Sequence, residues 1–116
     1  MSGKITTHVL NLAQGIPAQG VKVELYDSAK QTLLATAITN ADGRVDQPLL
    51  SGEDIQAGVY ELIFYVGDYH RDIGTSTEET LLWEQVPLRF HIVDIEQNYH
   101  IPLLVAPGGY STYRGS

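Results

Sequence analysis

Two histidines and two arginines are the side chains of this sequence that could together support hydrolysis. His8 and His100 each lie within a β-forming stretch, Arg44 follows an Asp-Gly pair, and Arg114 lies near the end of the sequence. A neutral imidazole can take a proton from water near neutral pH. A guanidinium can stabilise the oxygen charge that develops during hydrolysis. If the fold brings the four side chains together they can form a hydrolytic site, although their spacing alone does not show that they converge.

Each histidine taken alone has a simpler interpretation, because a strand histidine is most often a surface residue or a hydrogen-bonded core residue. We assign His70 and His91 to that class. His70 lies in a charged segment that is a candidate helix, and His91 shares a strand face with Arg89. The hypothesis of a chemical site therefore depends on the combination of His8 and His100 with the arginines.

Several other kinds of site are excluded by the sequence. The chain has no cysteine, which excludes disulfides, zinc knuckles and thiol nucleophiles. It has no Gly-x-Ser-x-Gly elbow, no His-Glu-x-x-His pair and no phosphate-binding loop. Residues 40–43 resemble part of a calcium loop, but Ile38 and Leu49 would be its first and last ligands, so calcium is rejected. We predict no resident metal and no cofactor; a zinc ion trapped by His8 and His100 of several subunits stays open as an alternative.

The composition describes one globular domain with an acidic balance of charge. The chain has 116 residues, 43% of them hydrophobic and 18% charged, which suits a single domain over residues 1–116. Its net charge of −7 argues against nucleic acid and anionic membrane as partners. No stretch approaches the roughly 20 apolar residues of a membrane helix, and residues 1–8 have no apolar run typical of a signal peptide. We therefore expect a cytoplasmic protein.

Short β-strands are the elements that must position the candidate residues. Period-two alternation and turn residues predict about eight strands, at residues 5–12, 21–26, 33–39, 44–48, 60–66 and 88–93 and as a closing pair from 97 onward. In the strand at 21–26 the valines and the leucine are predicted to face the core, and Lys22 and Glu24 to face water. Such a series of strands predicts an antiparallel, all-β sandwich of Greek-key type.

One short helix interrupts the predicted strands. Residues 68–73 have helical spacing, with Asp68 as the N-cap and Gly74 as the residue that ends the helix. The segment at 75–85 is ambiguous, and its Leu-Leu-Trp cluster could fold as a loop over a sheet edge. Neither segment contains one of the candidate catalytic residues.

Five short motifs resemble those of the transthyretin-like family of 5-hydroxyisourate hydrolases. They are His-Val-Leu-Asn at 8–11, Gly-Ile-Pro-Ala at 15–18, Thr-Asn-Ala-Asp-Gly-Arg at 39–44, Tyr-His-Ile-Pro-Leu-Leu at 99–104 and Gly-Tyr-Ser-Thr-Tyr-Arg-Gly-Ser at 109–116. The resemblance spans the whole chain, and the Tyr-Arg-Gly-Ser group is its most specific mark, because transthyretin itself lacks this tetrapeptide. Asn11 departs from the aspartate often found there, the turn at 106–109 is smaller than usual, and 75–85 looks longer.

The resemblance implies a prealbumin-like (transthyretin-type) β-sandwich that pairs edge to edge into a dimer and then stacks into a homotetramer, with the active sites in the central channel. It implies hydrolysis of 5-hydroxyisourate, a product of urate oxidation in purine catabolism, to 2-oxo-4-hydroxy-4-carboxy-5-ureidoimidazoline. The catalytic positions that it implies are His8, Arg44 and His100. The residues that it implies shape the substrate pocket are Tyr113, Arg114, Gly115 and Ser116.

A mechanism on these positions is a hypothesis at this point. In it His8 is the favoured base for water, and Arg44 would hold the substrate's oxygens. His100 would either hydrogen-bond its partner groups or protonate the leaving nitrogen, and the sequence does not fix which histidine is acid and which is base. A transthyretin-type carrier of a small aromatic ligand is the alternative, and it predicts an apolar channel. A structural adhesion-type sandwich would explain the fold but would leave the polar residues without a role.

Overall fold

Alternating buried and exposed residues build two β-sheets that enclose one core. The computed structural model describes residues 3–75 and 81–116. The strands in this part of the chain are β1 (Lys4–Asn11), β2 (Ile16–Pro17), β3 (Lys22–Asp27), β4 (Thr32–Ile38), β5 (Leu50–Ser51), β6 (Gly58–Phe64), β7 (Val86–Ile92), β8 (Tyr99–Ala106) and β9 (Gly109–Thr112). A single turn of 3-10 helix (Gly52–Asp54) follows β5, and the helix α1 (Val66–Asp72) follows β6. The predicted all-β sandwich with one short helix is confirmed.

The first sheet contains one pairing whose direction differs from the prediction. Its strand order is β2-β1-β8-β9, with β5 also paired to β1, while the second sheet has the order β4-β3-β6-β7. The pairing of β1 with β8 is parallel, from Ile5 opposite Tyr99 to Asn11 opposite Val105, whereas an antiparallel sandwich was predicted. Parallel neighbours need a long crossover, and here the intervening chain, which includes the second sheet, supplies it. The two strands that carry His8 and His100 are therefore direct neighbours.

The core lies between the sheets and consists of inward-facing apolar side chains. Burial of a large apolar side chain contributes roughly 1.5–3 kcal/mol to stability, so these contacts dominate the packing of the sheets. Since successive strand residues point to opposite faces, the same packing fixes which residues face outward. Fully buried members of the core include Ile5, Val9, Val23, Leu25, Leu62, Phe64, Val86, Ile92 and Leu103.

The strand predicted at 44–48 does not form. Arg44 makes a single bridge opposite His8, and regular pairing with β1 resumes only at Leu50 opposite Ile5. Three steps along β1, from 5 to 8, therefore match six steps along the partner segment, from 44 to 50, and the extra residues bulge out of the ladder. Pro48 lies in this bulge and lacks the N–H that a ladder requires. The result is that Arg44 is held at the sheet by one bridge.

Glu24 was predicted to face water, and this prediction is wrong. Its side chain lies on the outer face of β3 but is buried, with 8% of its surface exposed. The hydroxyl groups of Tyr26 and Tyr65 both donate hydrogen bonds to its carboxylate, and Nζ of Lys22 lies 3.8 Å from it. The hydrogen bond to Glu24 raises the pKa of Tyr65 to about 12. The period-two alternation correctly predicted that Glu24 points away from the core. It did not predict that two tyrosine side chains contact Glu24 on that outer face.

The helix α1 begins earlier than predicted and without the predicted cap. Tyr65 is the N-cap residue and its side chain makes no capping bond, while Asp68 lies in the first turn and pairs with Arg71 at 2.8 Å. Arg71 also binds Glu84 at 2.6 Å and, with other contacts, lowers the pKa of Glu84 to about 2. Gly74, with φ of 78°, follows the helix and donates to the carbonyl of Arg71, which confirms the predicted end.

The ambiguous segment at 75–85 lies partly outside the described residues, which omit 76–80. In the described part, the ring of Trp83 packs edge-on against Tyr110 of β9 at a centroid distance of 5.3 Å. The backbone N–H of Gly67 donates to the carbonyl of Glu84 at 3.0 Å. Residues 81–85 therefore connect α1 to an edge strand, as expected for a loop that covers a sheet edge.

His70 is a buried residue of α1, and it should make stability depend on pH. Its Nδ1 lies 3.2 Å from the hydroxyl oxygen of Thr75, and burial lowers the pKa of His70 below its ordinary 6.5. The unfolded chain therefore binds a proton near pH 6.5 while the folded chain does not, so the free energy of unfolding should fall as pH drops below 6.5. We expect His70→Asn to lose less melting temperature than the wild type between pH 7.5 and pH 5.5. Equal losses in thermal denaturation at the two pH values would contradict this role for His70.

Candidate functional site

The outer face of the first sheet carries both candidate histidines. Ile5, Thr7 and Val9 of β1 are buried, so Thr6 and His8 point away from the core. In the parallel ladder, Thr6 lies directly opposite His100 of β8. Because laterally paired residues share a face, His8 and His100 lie on the same face, two positions apart along neighbouring strands.

Arg44 and the C-terminal tail, residues 113–116, reach this face from opposite sides. Arg44 forms a bridge beside His8, and Gly115 forms a bridge beside His100 that continues the ladder between β8 and β9. The backbone N–H of Gly115 donates to the carbonyl of His100 at 2.8 Å. The order across four neighbouring segments is therefore Arg44, His8, His100 and Gly115. This order brings two imidazoles and one guanidinium into one region.

The turn before Arg44 is fixed by local hydrogen bonds. The side-chain oxygen of Asn40 accepts from the backbone N–H groups of Asp42 and Arg44, at 2.9 and 3.2 Å. Gly43 has φ of 76°, a conformation that favours glycine. A side chain at this position would also overlap the carbonyl oxygen of Val9, and the N–H of Val9 donates to the carbonyl of Gly43 at 2.8 Å. The Asn-x-Asp-Gly sequence thus docks the turn against β1 and sets Arg44 beside His8.

His8 is held in one tautomer by the same turn. Its Nε2 lies 3.0 Å from the backbone carbonyl oxygen of Asp42. A carbonyl only accepts, so Nε2 carries the hydrogen and Nδ1 keeps its lone pair. Burial, and then the positive charge of Arg44, lower the pKa of His8, while the bond to Asp42 opposes this shift. At neutral pH the ring is therefore neutral and offers Nδ1 as a proton acceptor.

His100 is also neutral and is held from both sides of its ring. Its Nδ1 lies 2.8 Å from the hydroxyl oxygen of Thr6. Burial lowers the pKa of His100, and the charge of Arg44, together with that of His8 when His8 is protonated, lowers it further. A Cβ atom at Gly115 would overlap Cδ2 of the ring and lie 3.1 Å from Cγ. The ring is thus fitted between a hydroxyl and a glycine.

Arg114 is not brought to the histidines. Its guanidinium donates to the side-chain oxygen of Gln97 at 3.0 Å and to the carbonyl of Asn98 at 3.2 Å. It also lies over the ring of Tyr99, 4.7 Å from the centroid. Here Arg114 lines a cleft of about 340 Å³ between β7 and the tail that contains neither His8 nor His100. In this chain its contacts anchor the tail to the start of β8.

Tyr113 lines the same cleft as Arg114, whereas Gly115 lies beside His100. Tyr113 and Ser116 are exposed. The hydroxyl of Thr112 donates to the carbonyl of Pro102 at 2.7 Å and fixes the tail along β8. Of the four tail residues predicted to shape a pocket, Gly115 is the one whose contact with a catalytic candidate is direct.

Two contacts of the site were missed in the sequence. Thr6 touches His100, and the backbone carbonyl of Asp42 fixes His8. The signal for Thr6 was present, because it precedes His8 by two residues in a period-two strand and so shares its face. The contact with Asp42 required the docked turn and had no such signal.

Residues 3–75 and 81–116 show neither a cluster of metal ligands nor a helix that could cross a membrane. In these ranges no three histidine, aspartate or glutamate side chains converge into a group that could hold a metal ion. None of the helices in the same ranges has the length and apolar character needed to cross a membrane.

Comparison with known proteins places residues 5–115 in a family model described as the HIUase/Transthyretin family. The 5-hydroxyisourate hydrolase of Pseudomonas aeruginosa is 51% identical over 116 residues, with 98% of this chain and 92% of that protein covered. The 5-hydroxyisourate hydrolase of Halalkalibacterium halodurans is 51% identical over 119 residues, with 100% of both chains covered.

Solved structures share the fold. The crystal structure of (S)-allantoin synthase matches with a TM-score of 0.92 at 38% identity, covering 99% of this chain but 44% of that longer chain. The 5-hydroxyisourate hydrolase of Klebsiella pneumoniae matches with a TM-score of 0.84 at 33% identity, covering 98% and 99% of the two chains. Sea bream transthyretin in complex with thyroxine matches with a TM-score of 0.84 at 25% identity, covering 97% and 94%. The prealbumin-like fold that the sequence predicted is confirmed.

Proposed function

The chain belongs to the HIUase/transthyretin family, and we propose that it is a 5-hydroxyisourate hydrolase. In this proposal it opens the six-membered ring of 5-hydroxyisourate and releases 2-oxo-4-hydroxy-4-carboxy-5-ureidoimidazoline, a step of urate breakdown. The observation that carries the proposal is the convergence of two neutral imidazoles and one guanidinium on the outer face of the first sheet. The full-length identity of 51% to a named hydrolase supports the same substrate.

The first step assigns the base to His8. Its Nδ1 has a free lone pair because Nε2 donates to Asp42, so Nδ1 takes a proton from the attacking water. The oxygen of that water bonds to the ring carbonyl carbon, and negative charge develops on the carbonyl oxygen. Arg44, whose charge acts on both imidazoles, holds this oxygen and stabilises the tetrahedral intermediate.

The second step assigns the acid to His100. The ring C–N bond breaks as the intermediate collapses, and the leaving nitrogen takes a proton from Nε2 of His100. In the same step the proton that His8 took from water passes through solvent to His100, so His100 is not left as an imidazolate anion and the cycle is balanced with water alone. This division of roles gives each histidine one task, and it needs no metal or cofactor.

The site face is open in a single chain, and we propose that a homotetramer, built as a dimer of dimers, closes it. Leu12, the residue that follows β1, exposes 56% of its surface to solvent, which suits burial against a second dimer. The edge strands β7 and β9 would pair between the two chains of a dimer. A light-scattering mass close to that of one 12.8 kDa chain would contradict this assembly.

A carrier of a small aromatic ligand is the second candidate, because transthyretin in complex with thyroxine has the same fold. A carrier channel is expected to be mostly apolar with few polar groups. The face of this chain instead presents His8, His100 and Arg44, which favour chemistry on a polar substrate. Tight binding of an aromatic ligand without hydrolysis would favour the carrier.

The proposed reaction can be tested with isotopically labelled water. We expect the protein, given freshly generated 5-hydroxyisourate in H₂¹⁸O, to form the ureidoimidazoline with one ¹⁸O atom in its new carboxylate, before the spontaneous reaction has advanced. Mass spectrometry of samples quenched at early times measures this. Unlabelled product, or labelled product at the rate of the protein-free control, would contradict hydrolysis by this chain.

A further inference from the structure

The ring of His100 is held by a side chain that the proposed reaction does not yet use. The hydroxyl oxygen of Thr6 lies 2.8 Å from Nδ1. Nε2 of His100 has no hydrogen-bond partner among residues 3–75 and 81–116, in contrast to Nε2 of His8. Nδ1 is therefore the nitrogen that the protein engages, and Nε2 is the nitrogen left for a substrate.

We propose that Thr6 is a positioning residue that donates its hydroxyl hydrogen to Nδ1 of His100 and so keeps the ring hydrogen on Nε2. In this arrangement Nε2–H of His100 is a hydrogen-bond donor and proton source aimed at the substrate. Thr6 does not touch the substrate, and its effect passes through His100. The inference rests on the proposed function for its consequence in catalysis, but its effect on the tautomer can be measured without substrate.

The direction of this hydrogen bond follows from what the two histidines must supply together. A threonine hydroxyl can either donate or accept, so the distance alone allows both tautomers of His100. His8 already offers a lone pair at Nδ1, because Asp42 fixes its hydrogen on Nε2. With Thr6 donating, the face presents one acceptor and one donor. With Thr6 accepting, it would present two acceptors and no neutral donor for the leaving nitrogen.

The fold makes the contact a consequence of strand register. Thr6 and His100 are direct partners in the parallel ladder, and the side chains of such partners lie within reach of each other. Threonine is branched at Cβ, which restricts rotation about its Cα–Cβ bond and so limits where its hydroxyl group can lie. The neighbouring Thr7 points into the core and donates to the carbonyl of Ile101 at 2.7 Å. The two threonines therefore have separate roles, one toward the site and one in the core.

Gly115 limits the position of the His100 ring from the tail, on the side of β8 that faces β9. Its lack of a side chain lets the tail lie against Cδ2 of His100, where a Cβ would overlap. The ring is thus limited on one side by Gly115 and oriented on the other by Thr6. Together they leave Nε2 as the free polar atom of the ring.

The test compares Thr6→Val with Thr6→Ser. Valine keeps the shape of threonine and removes the hydroxyl, whereas serine keeps the hydroxyl. For Thr6→Val we expect kcat to fall about tenfold, the size of one lost hydrogen bond, with KM changed less than twofold. Thr6→Ser should recover most of the rate. The acid limb of the pH–rate profile should also shift in Thr6→Val and not in Thr6→Ser.

An NMR readout separates this inference from the proposed function. Nitrogen-15 shifts of His100 should show hydrogen on Nε2 in the wild type and in Thr6→Ser, and a mixture of tautomers in Thr6→Val. Unchanged shifts together with kcat within twofold of wild type would overturn the role of Thr6. If the wild type does not hydrolyse 5-hydroxyisourate, the proposed function fails, and the nitrogen-15 shifts still decide whether Thr6 sets the tautomer.

Discussion

Glutamine in place of His8 is expected to lower kcat/KM for 5-hydroxyisourate about 10³-fold, within the range for loss of a general base. The side-chain amide of glutamine can still donate to the carbonyl of Asp42, as Nε2 of His8 does at 3.0 Å. The variant therefore keeps the docked turn and the position of Arg44. It lacks the lone pair at Nδ1 that takes the proton from water. The loss should appear mainly in kcat, because binding by Arg44 is retained.

The matched control for this prediction is His91→Gln. His91 is an exposed histidine of β7, in the second sheet and outside the site. We expect its replacement to leave kcat/KM within twofold of wild type. Similar values of kcat/KM for the two variants would show that His8 is not the base.

Alanine in place of Gly115 is expected to lower kcat/KM about 10²-fold, because a misplaced catalytic group costs about that much per ångström. The added Cβ would overlap Cδ2 of His100 and crowd Pro102, with Cγ of each at 3.1 Å. These contacts would push the ring away from Thr6 or the tail away from β8. Either movement misplaces Nε2 of His100 relative to the substrate.

Gly109→Ala is the control for this change in the same hairpin. A Cβ added at Gly109 would meet no atom within 4 Å beyond its chain neighbours, so alanine fits there. We expect kcat/KM and melting temperature close to wild type for Gly109→Ala. If Gly115→Ala also retains full activity, the tail does not position His100. A steady-state assay of the two variants beside the wild type decides between these results.

Much of the fold could be predicted because the signals are local. Period-two alternation identified the approximate positions of most of the longer strands. The turn residues at 40–43 marked a turn immediately before Arg44. The family resemblance of the motifs at both ends of the chain pointed to His8, Arg44 and His100. The convergence of these residues, however, depends on the parallel pairing of β1 with β8, which joins residues far apart in sequence and has no local signal.

The remaining errors concern interactions that only packing creates. The carboxylate of Glu24 accepts hydrogen bonds from a tyrosine hydroxyl of its own strand and from that of the tyrosine that follows β6. The segment at 44–48 bulges because its pairing with β1 is out of step between Arg44 and Leu50. Arg114 carries a candidate charge, but its partners are Gln97, Asn98 and the ring of Tyr99. Residue type identified a chemical possibility in each case, and neighbouring side chains decided its use.

Whether this chain hydrolyses 5-hydroxyisourate is decided most simply by the rate at which the freshly generated compound disappears. Its ultraviolet absorbance is followed with wild-type protein, with His8→Gln at the same concentration, and with buffer alone. We expect rapid decay with the wild type and decay close to the buffer rate with His8→Gln. Decay with the wild type that is no faster than in buffer would contradict the assignment of this chain as a 5-hydroxyisourate hydrolase.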